Sequence, residues 1–106
     1  MPELRQREPR IEDKAFLVFV REQRCCVCGA PPPVQAAHIR MASLAHGKRE
    51  TGRGERPSDK WTVGLCSDCH LDGPNAQHKM GEKRFWQSHN LNPFVIAQRL
   101  YAEFKR

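Results

Sequence analysis

The chain has 106 residues, eight of them proline and five cysteine, and its eighteen Lys and Arg against twelve Asp and Glu leave a net charge of +6 at pH 7. That length fits one domain with a modest core, to which a bound metal would add considerable stability. A mean hydropathy of −0.72, with no apolar run near the 18 or so residues of a spanning helix, argues against a membrane partner, and the basic balance suits a polyanion such as nucleic acid.

Residues 1–10 are charged, hold Pro2 and Pro9, and read as a mobile basic arm without the apolar stretch of a secretory signal. Residues 11–106 read as a single domain. From Ile11 to about Arg24 the pattern predicts a helix, with Ile11, Ala15, Val18 and Phe19 on its apolar stripe. Gly29 and the prolines at 31–33 end it, and "VQAAHI" predicts a first strand. A long glycine-rich and basic loop follows, and then "KWTVGLC" predicts a second strand with Trp61 and Val63 on one face. Beyond it a short helix is expected, interrupted at Gly73 and Pro74 so that His78 falls on a new turn. "GEKRFWQSH" predicts a helix with Phe85 and Trp86 inward. In the last helix Asn92 is the N-cap and Pro93 stands at N1, with Phe94, Ala97, Tyr101 and Phe104 on one stripe and Ile96 and Leu100 widening it. The outline is an α+β domain.

Four of the cysteines repeat one spacing, Cys25–x–x–Cys28 and Cys66–x–x–Cys69. A CxxC turn aims two thiolates at one ion, and two such turns complete the tetrahedron that zinc prefers. In a reducing compartment this pattern points to a structural zinc rather than to disulfides. Cys26 is left over and reads as a packed free thiol.

If both knuckles meet at one zinc, the strand leaving the first and the helix leaving the second lie side by side, so His38 and His70 are expected to face a common cleft, with His78 reaching in. An ion held by His70 and His78 would keep coordination positions open for a phosphate oxygen and the leaving group. His38, left without a metal, would take a proton from the attacking water.

"CVCGAPPPVQAAHIR" followed by "SDKWTVGLCSDCHLDGPNAQHKMGEKRFW" resembles the HNH endonucleases, the ββα-metal nucleases, and more narrowly a branch found in phage and prophage proteins. The resemblance covers about Cys25 to Trp86. It implies a zinc-stapled ββα-metal core with flanking N- and C-terminal helices, acting in the cytoplasm of a bacterial or phage-infected cell. It implies His38 as the general base, His70 and His78 as ligands of a catalytic divalent metal, and the four cysteines as ligands of a structural zinc. Two positions depart from the family pattern. Ala37 stands where many members carry an Asp or His ligand, and Trp61 stands where an asparagine orients the base. Asp59 is the nearest polar substitute for that asparagine, and Asp72 is a candidate third ligand. Two imidazoles favour Mn²⁺, Ni²⁺ or Zn²⁺ over Mg²⁺.

Between the strands Arg40, Lys48, Arg49, Arg53 and Arg56 are expected to contact phosphates on either side of a scissile bond, giving double-stranded DNA binding with little sequence specificity. The loop lacks the order of a nucleotide-binding P-loop. His46 within it reads as solvent-exposed or as a phosphate contact, and His89 as a helix end. The function expected is metal-dependent hydrolysis of DNA phosphodiester bonds. The alternative is a zinc-stapled DNA-binding module whose HNH site has decayed.

Overall fold

A computed structural model describes residues 11–52 and 57–106. The basic arm expected at residues 1–10 and the phosphate contacts expected at Arg53 and Arg56 lie outside the described residues. Helix α1 (Lys14–Arg21) is followed by strand β1 (Gln35–His38), strand β2 (Thr62–Leu65), and helices α2 (Gln77–Met80), α3 (Glu82–Ser88) and α4 (Pro93–Lys105). The fold is a small α+β arrangement around one two-stranded antiparallel sheet, in which Gln35 faces Leu65, Ala37 faces Val63 and His38 faces Thr62.

Helix α1 begins later than its sequence pattern predicts. The Asp13 side chain accepts the Phe16 amide at 3.1 Å and caps the first turn. Ile11 is held extended before it, because its amide donates to Ser58 Oγ and its carbonyl accepts from Asp59. The buried stripe also differs. Phe16 and Val20 are fully buried while Val18 is half exposed and Ala15 exposed. Starting the helix at Lys14 removes Ile11 from the stripe, and the larger Phe16 takes the inward position with its i+4 neighbour Val20. Phe16 meets Tyr101 edge-on at 4.9 Å and Phe104 at 5.4 Å, both on α4.

Strand alternation divides the sheet into two faces. Ala36, His38, Thr62 and Gly64 share the face covered by α1, where an added Cβ on Gly64 would stand 2.9 Å from Val34 Cγ2 and 3.3 Å from the Val20 carbonyl. Ala37, Ile39, Trp61, Val63 and Leu65 share the other face and form the main core with Phe85, Trp86, Phe94, Ile96 and Ala97. Trp61 and Val63 therefore lie on one face, as their spacing predicts, and Phe85 and Trp86 point inward. Helix α4 starts where the sequence places it, since Asn92 Oδ1 accepts from the Phe94 and Val95 amides ahead of Pro93.

The long loop is more ordered than its composition suggests. A single 3₁₀ turn at Leu44–His46 ends on Gly47 in the left-handed region, and Ser43 and Lys48 bridge beneath it. After β2 the chain makes one wide helical turn (Asp68–Asp72), breaks at Gly73, and restarts in α2, so His78 sits on a new turn. Among the described residues no helix is long and apolar enough to cross a membrane.

Candidate metal centre and imidazole sites

The two cysteine turns converge. In the first, Gly29 adopts φ of +78°, which lets its amide reach back to the Cys25 carbonyl at 2.9 Å while the Cys25 amide donates to Ala30. The Cys26 amide then donates to the Gly64 carbonyl at the end of β2, and this ties the first turn to the strand that delivers Cys66. The donor atoms of Cys25, Cys28, Cys66 and Cys69 all lie within 4.8 Å of one another. They are close enough to hold a metal ion, and four sulfurs in this arrangement are compatible with a structural zinc.

The thiols differ in acidity. Burial pushes Cys25 up, but amides of Cys28, Cys66 and Val27 outweigh it and bring the group down to about 7. Burial drives Cys69 the other way, helped by its sulfur neighbours. A cation replacing the protons relieves this competition, which is why such clusters couple metal binding to folding. Cys26 packs against the core as expected, and burial pushes its thiol up to about 12.

On the α1 face of the sheet, His38 Nε2 lies 2.8 Å from Asp59 Oδ1. The carboxylate is buried, and its Oδ2 accepts the Asp13 amide at 2.7 Å. A carboxylate oxygen only accepts, so Nε2 carries a proton, and in the neutral ring Nδ1 keeps the lone pair. The imidazole borders an open cavity of about 540 Å³, whose walls include Lys14, Leu17, Arg40 and Pro57. Asp59, on the turn before β2, thus makes the contact with His38. Trp61 is packed into the core against Phe94 and His46 instead.

On the opposite face, His70 Nδ1 donates to Gln35 Oε1 at 2.6 Å, and its ring meets that of His78 edge-on at 4.7 Å. Burial, with His78 beside it, lowers the His70 pKa. The amide of Gln35 fixes the tautomer, so Nε2 is left to coordinate. Gln35 was not singled out in the sequence. Its parity with Ala37 on a strand ending at His38 is the signal that could have found it.

His38 and His70 take different partners, the first Asp59 and the second Gln35. Gln35 precedes His38 by three positions, an offset that puts the two side chains on opposite faces and roughly 10 Å apart along the strand. His70 follows Gln35, and the cavity beside His38 is lined from α1 and the turn before β2. Asp72 does not join the two histidines. Among the described residues the four cysteines form the one cluster of three or more ligand-type side chains at ion-holding distance, and the backbone carbonyl of Asp72 accepts from Lys79.

The basic loop is used unevenly. Lys48, expected on phosphate, is instead buried. Its ammonium donates to the Met41 and Arg49 carbonyls at 2.8 and 3.0 Å and so braces the loop from inside. Burial lowers its pKa in consequence. Arg40 is exposed. Its amide donates to Glu82 at 2.9 Å and its guanidinium to the Gly52 carbonyl at 2.9 Å. Arg49 is exposed and donates to the Glu50 carbonyl. His46 is a packing residue rather than a solvated one, stacked on Phe94 at 5.4 Å with Nδ1 against Ser43 Oγ. His89 closes α3 as expected.

A family model described as a protein of unknown function (DUF968) matches residues 4–99. The chain belongs to that family. No curated protein and no solved structure matches it.

Proposed function

We propose that this member of the DUF968 family is an HNH-type, metal-dependent endonuclease that hydrolyses phosphodiester bonds in DNA, stapled by a structural zinc on Cys25, Cys28, Cys66 and Cys69. The observation that carries the reading is the His38–Asp59 pair. A buried carboxylate, itself held by a backbone amide, fixes an imidazole whose free nitrogen borders an open, cation-flanked cavity. That is the arrangement a general base requires.

In this reading His38 Nδ1 takes the proton of the attacking water. Asp59 holds the tautomer and stabilises the imidazolium that forms. Arg40 and Lys14, on the cavity wall, offset phosphate charge. The donor set of His70, oriented by Gln35, and His78 suits a borderline ion such as Mn²⁺, Ni²⁺ or Zn²⁺ better than Mg²⁺. When bound, such an ion supplies positive charge for the phosphate oxygens and the leaving group.

One observation favours a second reading, a DNA-binding module with a decayed site. Ala37, which stands where many HNH enzymes carry a metal ligand, is buried in the core. Nicking of supercoiled plasmid with each of the four ions separates the readings. The nuclease reading expects metal-dependent nicking that is lost in His38→Ala and in His70→Ala. No nicking by folded, zinc-loaded protein, with DNA affinity intact in both variants, would leave the binding module as the account.

A further inference from the structure

The groove between α4 and the turn into β2 lies apart from both imidazole sites. It has a volume of about 410 Å³ and is lined by His46, Lys60, Trp61, Gln98, Tyr101 and Lys105, among others. Its chemistry is unlike that of the cavity beside His38. That one carries Glu12 and Asp59 on its walls, whereas no acidic residue lines this groove among the described residues.

Two of the lining rings lie beside lysines. Lys60 Nζ stands 5.6 Å from the centre of the Trp61 ring, and Lys105 Nζ stands 5.2 Å from that of Tyr101. Each ammonium lies over a ring that lines the groove, and with Lys60 in place Trp61 is 8% exposed. Behind them the rings are fixed, Trp61 by Phe94 at 5.8 Å and Tyr101 by Phe16 at 4.9 Å. Lys105 also reaches Asp13 Oδ2 at 3.5 Å, and the Asp13 amide donates to Asp59, so the groove adjoins the His38 side of the molecule.

Aromatic rings beside cations are what single-stranded nucleic acid binds, bases against rings and phosphates against ammoniums. We propose that this groove is a second nucleic-acid subsite that takes an unpaired nucleotide, its base against Trp61 and Tyr101 and its phosphate between Lys60 and Lys105. The base displaces the ammoniums from the rings, and these turn to the phosphate. The inference rests on the reading of DNA as the substrate and adds to it a grip on a strand that has left the duplex.

The test is binding of a labelled short oligothymidylate, and of a duplex, to the zinc-loaded full chain by fluorescence anisotropy. The Lys60→Ala/Lys105→Ala variant is compared with Lys83→Ala/Arg84→Ala, which removes equal charge from exposed positions on α3. The groove variant should bind the single strand about tenfold more weakly, the control should bind as wild type does, and the single strand should quench tryptophan emission. Trp61 lines the groove and Trp86, 2% exposed, does not, so quenching reports on Trp61. Equal weakening by both variants, unchanged affinity in the groove variant, or absent quenching overturns the subsite. Any of these with duplex binding and nicking retained overturns the subsite alone; no binding of either DNA removes the DNA reading with it.

Discussion

Asp59 shows both what a sequence reveals and what it hides. It is the nearest carboxylate to the position where the HNH pattern has asparagine, and it lies 2.8 Å from His38. The second half of its role, holding the α1 cap through the Asp13 amide, depends on a contact between residues far apart in sequence that no local pattern encodes. Asp59→Asn keeps the size of the side chain but not its chemistry. With the amide oxygen kept on the Asp13 amide, the NH₂ faces Nε2, which must then accept, so Nδ1 carries the proton and no longer serves as base. Nicking should fall about a hundredfold or more while DNA affinity stays within a factor of two or so of wild type. Equal loss of both would assign Asp59 to folding alone. Lys48 gives the converse lesson. In sequence it is one of several basic loop residues, and its burial follows from the turn at Leu44–His46, which lets its ammonium close on three acceptors.

At the scale of elements, legibility follows local signals. Helix α4 is readable because Asn92 and Pro93 mark its start, and the break before α2 because Gly73 and Pro74 interrupt the turn. The stripe of α1 is not, because "AFLVFV" is apolar on all sides and only the cap at Asp13 settles which residues face in. The different partners of His38 and His70 are likewise hidden. Both follow their cysteine turns, yet the parity of β1 sends His38 to the α1 face while Gln35, on the other, meets His70. Gly64 is the contact on which the α1 face depends. Gly64→Ala would push a methyl against Val34 and the Val20 carbonyl, the second of which is backbone and has little freedom to yield. We expect a loss of about 1–3 kcal/mol, read as the denaturant midpoint of the zinc-loaded protein. An unchanged midpoint would mean that α1 shifts on the sheet without cost.

At the scale of the molecule, the proposed zinc joins the start of the sheet's first strand to the end of its second. Structural zinc sites of this kind contribute on the order of 10–16 kcal/mol of apparent binding energy, comparable to the whole stability of an ordinary domain. Chelation at neutral pH, or Cys66→Ser, should therefore unfold the chain cooperatively, with the loss of helical circular dichroism tracking metal release; retention of the fold in metal-free protein would reduce the cysteine cluster to a packing feature. The sequence made this staple plain, since two CxxC pairs have few other uses, and the four sulfurs do meet.

The nuclease account stands most directly on one measurement, the nicking of supercoiled plasmid by zinc-loaded protein with added Mn²⁺, in wild type beside His38→Ala. The account predicts nicking by wild type and at least a hundredfold slower nicking by His38→Ala, with both proteins folded and equally bound to DNA. Equal rates in the two would contradict it, because the imidazole held by Asp59 would then take no part in the chemistry.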